Sequence, residues 1–154
     1  VTTTSISLAH HVDEVFAVVA DPRTYPHWLL GARDIRSLDP TWPAPGSGFR
    51  HKVGLIGPLK IPDRSTVVEV DPPHRLVLEV RARPLLRARV AFDLAPGGTS
   101  SGRERTLLAM TEEPVRAYRW VAPLLEPLIA ARNRRSLGHL ADLLATGTSH
   151  RAPG

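Results

Sequence analysis

The chain of 154 residues contains no cysteine, and that absence excludes disulfides, thiolate zinc sites and cysteine nucleophiles. Lysine is almost missing too. Lys52 and Lys60 are the only ones, so the net charge of +5 and the isoelectric point near 10.6 rest on arginine. Arginine in place of lysine, with abundant alanine and proline, fits either a GC-rich coding sequence or an anionic partner. No apolar run approaches the roughly 20 residues that span a bilayer. Val1 to Leu8 lacks a basic flank and an apolar centre, so no signal peptide is expected and the cytoplasm is the expected location. The histidines at 10, 11, 27, 51, 74, 139 and 150 form no His-Glu-x-x-His pair. Gly97-Gly98 lacks the lysine of a phosphate loop, and Gly46-Ser47-Gly48 is too short for a nucleophile elbow. No metal and no cofactor is therefore expected.

What is present describes a globular domain. The hydrophobic share is 42% and the mean hydropathy -0.11. A chain of this length buries about two thirds of its unfolded surface in one core. We expect one domain over residues 1–147, followed by a disordered tail over 148–154. Ser5 to Leu8 alternates polar and apolar, the period of a half-buried strand. Val12, Val15, Phe16, Val19 and Ala20 then fall at helical spacing, with Asp13 and Glu14 in the first turn, where the helix dipole favours acids. Asp21-Pro22 ends that helix, and Arg23 to Leu30 predicts a second, short one capped by Gly31.

From Ala32 onward the period changes to two. Ile35 and Leu38 suggest a strand, Asp39 to Gly48 a loop, and Phe49 to Val53 and Ser65 to Val70 two further strands. Arg75 to Arg83 places Leu76, Leu78, Val80 and Ala82 on one face, and Arg87 to Leu94 repeats this with Ala88, Val90, Phe92 and Leu94. Those two form a hairpin through Pro84. Pro96 to Gly102 reads as a loop, and Thr106 to Glu112 as a last strand with Thr106, Leu108, Met110 and Glu112 inward. Pro123 and Pro127 argue against one smooth helix, because proline cannot donate a backbone N–H. The expectation is a helical segment over Arg116 to Val121, then a helix with Pro127 at its first position that ends near Ala145. Its inward stripe is Ile129, Asn133, Leu137, Leu140 and Leu144.

This order of parts resembles the START-related, birch-pollen-allergen-like superfamily, and within it the bacterial polyketide cyclase/dehydrase and lipid-transport group. The residues that carry the resemblance are Val12-Asp13-Glu14-Val15-Phe16 and Ala20-Asp21-Pro22 through Tyr25-Pro26-His27-Trp28. Val68 to Leu76, with its Asp71-Pro72-Pro73 turn, and Leu137 to Leu144 add to it. The resemblance runs from Ser5 to Ala145. It implies an α+β helix-grip fold, an antiparallel curved sheet of about seven strands wrapped around a long C-terminal helix, with two short helices after strand one.

It also implies a pocket between sheet and last helix. By strand alternation Phe49, His51, Val53, Val68, Leu78, Val80, Val90, Phe92, Leu108 and Met110 face that side, where the same pattern fills a core or borders a cavity. His51 and Glu112 are the candidate catalytic pair. An inward imidazole beside a carboxylate could move protons in aldol ring closure and dehydration, unless Glu112 ends in water and His51 makes one structural hydrogen bond. Arg132 could hold a carboxylate or phenolate, or snorkel to the surface. Asn133 interrupts the apolar stripe and needs a partner. Trp28, with Tyr25 and His27, forms either a lid or a packed anchor; Trp42 and Trp120 are candidates for an entrance or a membrane contact. Arg81, Arg83, Arg87, Arg89, Arg103 and Arg105 make a basic stripe, interrupted by Glu79, Asp93 and Glu104 and without interleaved aromatics. The expected partner is thus a small hydrophobic molecule such as a polyketide, lipid, isoprenoid or quinone, with no nucleic acid and with peripheral membrane contact left open. The alternatives are a polyketide cyclase or dehydratase using His51 and Glu112, and an interaction module using the arginine face.

Overall fold

The computed structural model describes residues 1–30, 32–56, 59–82, 86–116 and 122–149; within these, the side chains of 33, 34, 51–56, 59–63, 82, 86, 116, 122, 148 and 149 are outside the description. The elements are β1 (Thr2–Leu8), α1 (Val12–Val19), a 3₁₀ turn (Pro22–Thr24), α2 (Tyr25–Trp28), β2 (Ala32–Arg36), β3 (Gly48–Ile56), β4 (Leu59–Asp71), β5 (Arg75–Ala82), β6 (Leu86–Ser100), β7 (Arg103–Arg116) and α3 (Ala122–Ser149). All strand pairs are antiparallel, in the order β1-β7-β6-β5-β4-β3-β2. The curled sheet and the long final helix make the helix-grip architecture that the sequence resembles.

Local chemistry explains the helices. The ring of His11 accepts from the Asp13 backbone N–H at 3.2 Å and caps α1, whose Val15, Phe16 and Val19 are buried. Asp21 Oδ1 accepts from the Arg23 N–H at 3.1 Å and opens the 3₁₀ turn. The single short helix expected over Arg23 to Leu30 is therefore split in two, with Pro22 and Pro26 each standing near an N-terminus, where a missing N–H costs nothing.

Four expectations are corrected. Ser37, at φ 52°, ends β2 before Leu38, which lies half-exposed in the loop. The supposed loop of Pro96 to Gly102 is mostly strand: β6 and β7 continue to Ser100 and Arg103 around Ser101 and Gly102. Both of these have positive φ, 53° and 74°, as a type I′ turn requires. A bulge between Val67 and Glu69 turns Val68 to solvent and buries Val67 in its place, because one extra residue reverses the alternation. Finally, α3 starts at Ala122, carries Pro127 inside and runs to Ser149, beyond Ala145 and into the expected tail. Only one helical hydrogen bond is lost at Pro127, near the exposed start of the helix. Arg116, expected to open a helical segment, is the last residue of β7, and residues 117–121, the Gly31 cap and the Pro84 hairpin turn lie outside the described residues.

The core lies on the concave face of the sheet, under α1, α2 and the Leu137, Leu140 and Leu144 stripe of α3. Gly48 is required where β3 starts, since a Cβ there would lie 2.3 Å from the Ser65 carbonyl oxygen. Tyr25 is almost fully buried, and its hydroxyl donates to the Val19 carbonyl at 2.7 Å. Burial, reinforced by the charge of Asp21, pushes this phenol well above its ordinary range. Because the folded-state pKa is the higher one, the neutral ring's contribution is complete below the unfolded value near 10 and is lost as pH rises above it. We expect urea-derived stability to fall above pH 10 by about 1.4 kcal/mol per unit more steeply than in Tyr25→Phe. Every other titratable group is common to both chains, so the difference isolates Tyr25.

Candidate functional site

The helix α3 approaches β1 and α2 most closely, and α1 covers β6 and β7. Between them, among the described residues, the concave face of β3 to β5 is left without a close helical cover, up to the edge of β6. A half-open cleft of about 110 Å³ lies there, lined by Tyr25, Leu29 and Leu30 at α2, Ala32 of β2, Phe49, Ser65, Leu78, Val80, Val90 and Phe92 of the sheet, and Arg132 of α3.

Strand register shows why these side chains meet. Phe49 pairs with Ser65 and Ser65 with Val80, which makes one inward row across β3, β4 and β5. Val67, Leu78, Val90 and Glu112 make the next, and Leu76, Phe92 and Met110 the third. The rings are stacked behind this wall. Tyr25 meets Phe49 at 5.7 Å and Trp28 at 5.5 Å, and Trp28 meets Phe92 at 5.9 Å, all edge-to-face.

The polar end is built from three residues. Arg132 Nη2 donates to Glu112 Oε2, and Nε and Nη2 reach Asn133 Oδ1 at 3.4 Å. Asn133, fully buried, donates through Nδ2 to the same Glu112 oxygen at 3.3 Å. The buried amide thus holds its two neighbours in register, and Arg132 keeps Nη1 without a partner among the described residues. One turn on, the hydroxyl of Ser136 accepts from the Leu30 N–H at 3.0 Å and ties α3 to the end of α2.

Of the residues expected at the pocket, Phe49, Leu78, Val80, Val90, Phe92 and Arg132 stand on the cleft wall. Leu108 and Met110 are buried under α3 as core, Asn133 lies beneath Arg132, and Val68 is on the outer face. Trp28 is no lid: it is 1% exposed, and its Nε1 donates to Thr24 Oγ1 at 3.0 Å. Trp42 is half-buried and is not among the residues lining the cleft; its Nε1 donates to the Ala20 carbonyl at 2.7 Å and its ring packs on Phe49. The side chains of His51 and Val53, and all of Trp120, lie outside the described residues. Glu112 is not in water at a strand end, because it is ion-paired to Arg132 and mostly buried.

Leu29, Leu30, Ala32 and Ser65 were not anticipated. Ser65 could have been found from its pairing with Phe49, but only once the bulge at Val68 had been placed. The basic stripe is paired only in part: among the described residues Glu79 serves both Arg81 and Arg87, Arg105 bonds to Ser7, and Arg89 and Arg103 have no ion pair. Arg75 pairs with Asp93 and Glu69. Among the described residues, no cluster of three or more histidine and acidic side chains is arranged to hold a metal, and no helix is long and apolar enough to cross a membrane.

Residues 1–145 match the family described as polyketide cyclase / dehydrase and lipid transport. The chain belongs to that family. Solved structures place this cyclase/dehydrase-family chain in the same fold at low identity. A protein of unknown function from Staphylococcus aureus is 9% identical, with a TM-score of 0.68 over 96% of each chain. A protein from Mesorhizobium loti is 19% identical, with a TM-score of 0.65 over 94% of this chain and 97% of that one. Norcoclaurine synthase from Thalictrum flavum, solved with dopamine and hydroxybenzaldehyde, is 14% identical, with a TM-score of 0.65 over 99% and 87%. No curated protein matches the chain.

The buried amide makes a direct test of the polar end. Asn133→Leu preserves volume but leaves Arg132 and Glu112 short of a partner. The expected loss is about 2 kcal/mol in urea unfolding, and a change under about 0.5 kcal/mol would show that the triad is not structural.

Proposed function

We propose that this chain binds a small, largely apolar molecule in the cleft between the β3–β6 face and α3. The observation that carries this reading is the composition of the wall, in which Ser65 and Arg132 are the main polar side chains among aromatic and aliphatic ones. The volume of about 110 Å³ is of the order of the apolar cavity of roughly 150 Å³ that takes up benzene. A single ring or short alkyl group fits inside, with any longer portion passing out of the open side. The aromatic ligands of the norcoclaurine synthase structure are of that size class. Arg132 Nη1 offers the ligand's polar end a hydrogen-bond donor.

A catalytic reading is the second, and its support is the Glu112–Arg132 pair, of which Arg132 lines the cleft. Arg132 would polarise a ligand carbonyl while Glu112, whose Oε1 has no partner among the described residues, would exchange a proton. His51 is the other candidate base in this reading.

Two experiments separate these. Native mass spectrometry of protein purified from its own host, followed by denaturation, identifies a carried molecule. Val90→Trp then fills the cleft from its sheet wall and is expected to weaken binding of that molecule, or of 1-naphthol as a surrogate, by at least about tenfold. Unchanged binding would place the ligand elsewhere. For a recovered carbonyl compound that is turned over, Glu112→Gln is expected to lower kcat about a hundredfold or more with affinity little altered; full activity in that variant would leave the chain a carrier.

A further inference from the structure

The outward face of α3 opposite its buried stripe begins apolar and ends basic. Leu124 and Leu128 are 76% and 67% exposed, one helical turn apart on the same side. Pro127 and Ala131 are exposed beside them, and Arg134 and Arg135 follow within the next two turns. Among the described residues neither side chain has an ion pair or hydrogen bond. Glu126 is the sole acid of the helix before Asp142. Arg135 stands two turns from Leu128, about 10 Å along the axis, so its charge and the leucines meet the same surface. Isolated exposed leucines need no explanation, but two stacked leucines flanked by prolines and followed by unpaired arginines form one amphipathic patch.

We propose that this face, Leu124 to Arg135, docks on anionic lipid bilayers. A bilayer surface supplies both things the patch lacks: an apolar layer just below the headgroups for the two leucines, and phosphates for Arg134 and Arg135. A protein partner would need a groove of matching shape, and nothing in the fold specifies one. A nucleic acid would satisfy the arginines but leave the leucines in water. Position adds the consequence. Arg132 is one turn beyond Leu128 along α3 and lines the cleft, so the docking face and the cleft share one stretch of the helix. The docking surface stands independently of the ligand reading; only its use, transfer of an apolar molecule between bilayer and cleft, rests on it.

The test is co-sedimentation of the full chain with phosphatidylcholine vesicles, with and without about a third phosphatidylglycerol, at low and high salt. The expected result is binding to the anionic vesicles that weakens steeply with salt. Arg134→Gln with Arg135→Gln should weaken it roughly thirtyfold, since each basic residue near an anionic surface is worth about fivefold. Leu124→Gln with Leu128→Gln should weaken it by about tenfold or more. All four positions are exposed, so circular dichroism melts should stay as in the parent chain; if the leucine pair melts early, Leu128→Gln alone replaces it. No binding to anionic vesicles at low salt overturns the proposal, as does binding that ignores the leucine changes. Self-association in the ultracentrifuge that the leucine changes abolish, without vesicle binding, would make a second copy of the chain the occupant instead.

Discussion

Five aromatic rings from four segments run edge-to-face through the molecule, from Trp42 to Phe49, Tyr25, Trp28 and Phe92, with successive centroids 5.3 to 5.9 Å apart. Each contact contributes about 0.5–1.5 kcal/mol beyond burial, and each polar tip is satisfied: Tyr25 at Val19, Trp28 at Thr24, Trp42 at Ala20. The consequence is geometric. Edge-on rings are wide spacers, so α2 stands off the sheet. Ser136 then holds α3 to the end of α2, which keeps the long helix near β1 and away from β3 to β6. The cleft is the volume this arrangement leaves over, bordered by three of the same rings.

Much of this could be read in the chain because a half-buried strand repeats every two residues. Leu78, Val80, Val90 and Phe92 were assigned to one face from alternation alone, and the hairpin pairing then sets them side by side. What failed did so where a single residue changes the phase. The bulge at Val68 has no local signal in Thr66-Val67-Val68-Glu69, since either valine suits a buried position. The tip of the β6–β7 hairpin was hidden by Pro96-Gly97-Gly98, which imitates a loop although the ladder resumes at Thr99. Pro127 lies near the exposed start of α3, where one missing donor does not end the helix. The packing of Trp28 and Trp42 depends on which backbone carbonyl or hydroxyl each indole finds, and that information is tertiary.

Polar groups inside the molecule follow a consistent logic. Asn133, the one polar residue in the apolar stripe of α3, is buried because it bridges Arg132 and Glu112, and no described buried side-chain polar atom is left without a partner. The outer sheet face treats charge the same way, threading Glu69, Glu79 and Asp93 between its arginines. What sets Arg134 and Arg135 apart from other arginines without a partner is the pair of exposed leucines beside them on α3.

The persistence of the cleft also argues for use. Residual cavity volume in a core costs about 24 cal/mol per Å³, so a space of about 110 Å³, if fully enclosed, would cost about 3 kcal/mol. Its half-open side lets water reduce that cost. Even so, this is a sizeable fraction of the roughly 5–15 kcal/mol that holds a domain folded. Filling it would take little: Ala32, Ser65, Val80 and Val90 are all small or medium side chains on its wall. A core shaped by stability alone would carry larger residues at one or two of those positions. Retaining small ones there, while surrounding them with rigid rings and one oriented guanidinium, is the arrangement of a chain whose stability is held below what its fold allows so that a guest can enter.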